Sequence, residues 1–141
     1  MQIGWDILWF IVGVGGLVVV HEFGHFWVAR KLGFKVLRFS VGFGKPLLTY
    51  VSKHPDKTEF VVAALPLGGY VKLVDERDGP VNPGDAPRSY QSKRPWQRIL
   101  MLLAGPGANF LFAILVLWGV FLASGVGRLK PEIAEVTAGT P

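Results

Sequence analysis

The stretch "WDILWFIVGVGGLVVVHEFGHFWVA", Trp5 to Ala29, decides the fold. It is apolar apart from Asp6 near its start and a cluster of His21, Glu22 and His25 near its end. Roughly 20 helical residues cross the hydrocarbon core of a bilayer, and this run is longer than that. A second run, Ile99 to Val126, carries no charged residue. Lipid offers a backbone no hydrogen-bond partner, so only helices or closed barrels span it, and both runs are too long for barrel strands. Two transmembrane helices are therefore expected, rather than the core helices of a soluble domain. A signal peptide is a poorer reading of the first, because no Lys or Arg precedes it and no small-residue cleavage site closes it.

The charges between the two runs carry a topology signal. The net charge is +5, and every Lys and Arg except Arg128 and Lys130 lies between Arg30 and Arg98. By the positive-inside rule the connecting segment is cytoplasmic and both ends lie outside. A nucleic-acid surface is a poorer reading, since acidic residues are interspersed in the same segment. Trp5, Trp9, Trp118 and Phe121 fit an outer aromatic belt. Gly13, Gly15 and Gly16, with Ala104 and Ala108, supply small faces for helix packing. With zero cysteines, disulfides and thiolate ligands are excluded, so any metal rests on His and carboxylates.

Between the helices the pattern becomes strand-like: "VLRFSV" at Val36 to Val41, "LLTYVS" at Leu47 to Ser52 and "EFVVAAL" at Glu59 to Leu65. "KHPDK", Lys53 to Lys57, supplies hairpin-turn chemistry, and "PLGGYVKL" places a Gly pair before another short strand. These segments are more apolar than a cytoplasmic loop needs, which suggests a sheet dipping into the membrane face beside the helices. "VGFGKP" has the wrong glycine spacing for a phosphate loop, with Pro46 where Ser or Thr is required. "GPVNPGDAP", Gly79 to Pro87, is a linker by composition. The expected fold class is an α-helical integral membrane protein, with two transmembrane helices around a membrane-associated β hairpin region. Its parts are a first helix over residues 1–31, the β region over 32–78, a linker and interfacial segment over 79–97, a second helix over 98–126 and a polar remainder over 127–141.

His21 and His25 are four residues apart, so on a helix they share one face, one turn apart, and both can reach a single cation. With Glu22 they form H-E-x-x-H, in which two imidazoles ligate Zn2+ and the Glu serves as general base on the water that zinc activates. A proton relay or packing network is the plainer alternative. Yet two His and a Glu inside an apolar span are costly unless paired, and a metal with its water relieves all three. In the second run, "LLAGPGANFLFA", Pro106 removes a helix hydrogen bond, Gly105 and Gly107 loosen the helix, and Asn109 puts an amide in an apolar setting. Counted from Arg98 and Arg30 at about 1.5 Å per residue, Asn109 and His21 lie at similar depths, about 16 and 13 Å. Asn109 is then a candidate for binding substrate or its oxyanion, or else for bonding the backbone freed by Pro106.

"HEFGH", "LPLGGYVKL" and "AGPGANF", in this order and spacing, resemble the site-2 protease family of intramembrane zinc metalloproteases. The resemblance covers nearly the whole chain. It implies that His21 and His25 are zinc ligands, that Glu22 is the catalytic base, and that the strands form a membrane-reentrant sheet. It further implies single-pass membrane proteins as substrates, such as anti-sigma factors and remnant signal peptides, cut during regulated intramembrane proteolysis in the bacterial inner membrane. "RLKPEIAEVTAGTP" is similar to the opening of the PDZ domain that follows the second helix in bacterial members.

The departure from the family pattern concerns the third ligand, an Asp in an Asp-Gly pair on a later helix. Asp6 lies at the opposite end of its helix, while Asp56, Asp75, Asp78 and Asp85 fall in the loop. The chain is therefore expected to be an N-terminal portion, inactive alone. Prenyl-protein peptidases, another class of membrane zincin, have no reason to carry the other two motifs. A catalytically silent membrane adaptor that binds transmembrane helices is the non-enzymatic alternative.

Overall fold

A computed structural model describes residues 2–125, so the PDZ-like reading of 127–141 falls outside the described residues. Helix α1 is Gln2–Lys31 and helix α2 is Pro95–Ser124, each 30 residues long. At 1.5 Å per residue each spans about 45 Å, enough to cross a bilayer with turns to spare. Helix α1 stops at Gly33, whose φ of 75° suits the residue just past a helix; there Phe34 N–H donates back to Ala29 O at 2.9 Å. Helix α2 starts at Pro95, three residues before the expected start at 98. Pro95 occupies the first turn, where its missing N–H costs nothing, and Arg94 N–H donates to Gln97 Oε1 at 3.0 Å.

The helices run antiparallel, with His25 beside Met101, Gly24 beside Ala104 and Ala108, and His21 beside Gly105 and Asn109. Their backbones come close at Gly24: a Cβ there would sit 2.6 Å from the Ala108 methyl. Ala104 and Ala108 thus supply the small face that their spacing suggested. Gly13, Gly15 and Gly16 meet nothing among the described residues.

Strands β1, Val36–Val51, and β2, Glu59–Leu73, form an antiparallel two-stranded sheet joined by the expected turn at Lys53 to Lys57. The separate short strands read in the sequence are merged into these two, because each strand bends instead of ending. The register shows the result. Val36–Val41 faces Gly69–Leu73 on one side and Glu59–Val62 on the other, while Glu59–Val62 also faces Leu48–Val51. Partner numbers rise together from Arg38↔Glu59 to Val41↔Val62 and run oppositely in the other two pairings. Gly42 makes the bend in β1 possible: its φ is 91°, and a Cβ would lie 2.9 Å from the carbonyl oxygens of Ala63 and Leu65.

A small core ties sheet to helices: Ala29, Phe34, Val36, Leu73 and Met101 are buried together, with Phe26 and Tyr90 packed on them. The segment after β2 is fastened to this core through backbone bonds. Lys35 N–H donates to Arg88 O, Val74 N–H to Lys35 O and Tyr90 N–H to Val74 O, at 2.8 to 3.0 Å. It also contains two short 3₁₀ turns, Glu76–Asp78 and Ala86–Arg88, in a stretch read partly as plain linker.

Candidate metal centre

The last third of α1 turns His21 and His25 toward Gly105 of α2. A Cβ on Gly105 would lie 2.6 Å from His21 Nε2 and closer still to His25 Nε2. Gly105 is therefore the gap that admits both imidazoles between the helices, a role beyond loosening α2. The rings meet edge to face, 4.8 Å between centroids at 75°, and their Nε2 atoms lie 3.1 Å apart. Each outer ring nitrogen has its own contact. His25 Nδ1 donates to Met101 O at 2.8 Å, and His21 Nδ1 lies 3.3 Å from Asn109 Nδ2.

The fit of these residues to zinc can be tested on that Nε2 separation. Two imidazole nitrogens at about 2.0–2.1 Å from one tetrahedral ion lie about 3.3 Å apart. The observed 3.1 Å matches within the motion of a side chain. The donor chemistry also fits: His25 donates its other nitrogen to a carbonyl, as metal-binding histidines do. Among the described residues no further His, Cys, Asp or Glu joins the two histidines in a three-ligand group.

Glu22 leaves this face and meets the sheet. A Cβ on Gly69 would lie 2.7 Å from Glu22 Cγ and 2.6 Å from Ser40 O, so the second glycine of "LPLGGYVKL" makes room for the Glu22 side chain. At Gly68 a Cβ would strike the Phe43 ring, which stacks on Tyr70 with 6.5 Å between centroids and 14° between planes. Glu22, His21, Asn109, Phe43, Gly68 and Gly69 share the wall of one cavity of about 350 Å³, completed by aliphatic side chains. The sequence thus pointed to four residues, His21, Glu22, His25 and Asn109, and the structure brings all four together. Asn109 contacts His21 and not the backbone around Pro106.

Sequence reasoning missed Met101, Gly105 and Gly69. Met101 acts through its carbonyl, which leaves no trace in side-chain pattern. The two glycines sit inside quoted motifs, but their spacing suggested turns and helix loosening, not clearance for a particular side chain.

The family model of peptidase family M50 matches residues 9–139. The chain is 49% identical over 134 residues to the regulator of sigma-E protease RseP of Escherichia coli (strain K12), covering 95% of this chain and 29% of that protein. It is 47% identical over 137 residues to the regulator of sigma-E protease RseP of Salmonella typhimurium (strain 14028s / SGSC 2262), covering 97% of this chain and 30% of that one. A protein of Xylella fastidiosa (strain 9a5c) named a putative zinc metalloprotease is 50% identical over 136 residues, with 92% and 30% covered. The chain spans about 30% of the length of these curated relatives.

Proposed function

The chain belongs to peptidase family M50, the site-2 proteases, and from that premise we propose that it is the N-terminal, helix-bearing portion of an intramembrane zinc endopeptidase. The observation that carries this reading is the convergence of His21 Nε2 and His25 Nε2 between two membrane-length helices, 3.1 Å apart. His21 and His25 would hold the metal, and no third protein ligand stands beside them among the described residues. The chemistry that zinc would supply there is a water acidified toward a pKa of about 7 and a polarised peptide carbonyl.

Glu22 is the general base. It takes the proton of the attacking water and returns it to the leaving nitrogen. Its contact with Gly69 puts that carboxylate where α1 meets the sheet, beside the cavity in which a peptide would lie. A peptide bond inside a helix is shielded, so the substrate must be extended at this point, and a strand edge can hold it so.

The substrates we infer are single-pass membrane proteins of the anti-sigma-factor or remnant-signal-peptide type. That inference is supported by the naming of the Escherichia coli and Salmonella relatives as regulators of sigma-E. The exposed apolar side chains Leu47, Leu48, Tyr50 and Leu67 support a sheet set against lipid. The Lys and Arg between the helices support a cytoplasmic connecting segment, with both ends outside an inner membrane; single introduced cysteines labelled from one side only would check this.

The test is Glu22→Gln in the intact protein, reconstituted with a single-pass substrate. Cleavage should fall by about 10²–10⁴-fold, the usual contribution of a general base, with zinc content unchanged. Cleavage at the parental rate would overturn the role of Glu22 and leave the adaptor reading in front.

A further inference from the structure

Three hydrogen bonds run in series through the two histidines. A carbonyl oxygen only accepts, so His25 Nδ1, 2.8 Å from Met101 O, carries a proton. A neutral His25 then presents Nε2 as a lone pair. His21 Nε2, 3.1 Å away, donates its N–H to it, which leaves His21 Nδ1 as the lone pair. Asn109 Nδ2 donates to that atom across 3.3 Å. The chain is consistent from Asn109 to Met101, and it leaves Asn109 Oδ1 buried without a hydrogen-bond partner among the described residues.

Binding a cation changes the demand at one ring only. Both Nε2 atoms must offer lone pairs. His25 already does, because Met101 O fixes its proton on Nδ1. His21 must move its proton to Nδ1, where an N–H would face the Asn109 NH2 group. A half-turn of the amide exchanges oxygen and nitrogen within nearly the same volume and sets an acceptor opposite that N–H.

We propose that Asn109 is the positioning residue that selects the His21 tautomer: its amide donates to Nδ1 when no metal is held and, turned over, accepts from Nδ1–H when zinc is bound. The proposal rests on the reading of His21 and His25 as zinc ligands. Few side chains carry a donor and an acceptor on interchangeable atoms, which accounts for an amide at this depth in an apolar helix. An orienting partner on the outer nitrogen of a metal-binding histidine commonly governs metal affinity by about 10–100-fold.

The experiment compares Asn109→Leu and Asn109→Asp in the intact protein in detergent, with zinc affinity read by competition against a chromogenic chelator. Leu offers neither donor nor acceptor, and Asp only accepts. The Leu variant should lose about 10–100-fold in zinc affinity, whereas the Asp variant should bind zinc as tightly as the parent or more tightly. Loaded with Co2+, the Asp variant should keep the parental visible absorption bands and the Leu variant should not.

Parental zinc affinity in the Leu variant would overturn the proposal, and so would an Asp variant as weak as the Leu variant. Should the Leu variant fail to fold, the Asp variant decides alone: zinc affinity about 10-fold or more below the parent would overturn the proposal. The double variant His21→Ala, His25→Ala separates the two levels. If it keeps its zinc, the zinc-site reading fails and takes this proposal with it. If it loses zinc while Asn109→Leu does not, only the role of Asn109 fails.

Discussion

Asp56, in the loop beside the sheet, and Asn109, in α2, are both polar side chains taken largely out of solvent, and the chain provides for them in opposite ways. Asp56 has only 6% of its side chain exposed, and both of its oxygens are taken by Arg88 at 2.5 and 2.9 Å. In the same part of the fold the buried hydroxyls are likewise partnered: Thr58 donates to Val36 O and Ser89 to Glu76. Asn109 keeps an oxygen with no hydrogen-bond partner among the described residues, beside two imidazoles whose Nε2 atoms point at each other. Buried polar groups are normally satisfied, and an exception asks for an explanation. The loop region spends its polar groups on holding itself together. The helix face holds valency in reserve, which is what a binding site requires before its ligand arrives.

The sharpest way to break this comparison is to fill the reserved space. Gly105→Val puts side-chain atoms where both Nε2 atoms now lie. The rings have little freedom to yield, since Met101 O and Asn109 hold their outer nitrogens. Zinc affinity of the intact protein should fall by at least about 100-fold, the upper range for loss of ligand orientation. Helix content by circular dichroism should remain, because Val is no poorer a helix former than the Gly it replaces. Unchanged zinc affinity would show that the metal is not held between α1 and α2.

Gly69→Ala tests the junction between the two regions. Its methyl would press on Glu22 Cγ and Ser40 O, and the side chain yields more readily than the strand. Displacing a catalytic group by about 1 Å can cost up to about 10²-fold, so kcat should fall by about 10–100-fold while zinc content stays parental. A fall in zinc content equal to the fall in kcat would place the damage in the metal site and break the assignment of Gly69 to Glu22.

The two regions were also unequally legible in the sequence. The helices and the site residues could be read early, because twenty-odd apolar residues and an i, i+4 histidine pair are local patterns with a physical cause inside a few turns. Similar depths for His21 and Asn109 followed from rise per residue alone. The sheet was legible only in part. Its segments were visible as short apolar runs, but their union into two bent strands depends on Gly42, where a positive φ and two nearby carbonyls decide the path. The Asp56–Arg88 pair joins residues 32 positions apart, and no periodicity connects them. Met101 was invisible for another reason: its backbone oxygen would serve equally well in many residues.

The smallest expected effect lies in the closed region. Arg88 beside Asp56 holds its carboxyl below the usual carboxylate range, through the paired hydrogen bonds first and its charge second. A carboxyl whose folded pKa is lowered contributes stability that is complete above its ordinary value, near pH 4, and is lost as pH falls through the lowered one. Asp56→Asn keeps the shape and removes the charge. Arg88 is 38% exposed, so solvent screens part of the pair, and the cost at pH 7 should be about 1–2 kcal/mol. It should appear as a lower melting temperature in detergent, with zinc content and Glu22-dependent cleavage unchanged. The gap in melting temperature should narrow as pH is taken below about 4, where the unfolded parent begins to bind a proton that the paired Asp56 of the folded parent still excludes. A gap that stays constant down to pH 3 would mean that the loop is held by its hydrogen-bonded shape and not by this charge. Loss of zinc in the same variant would mean that the closed and the open regions are energetically one.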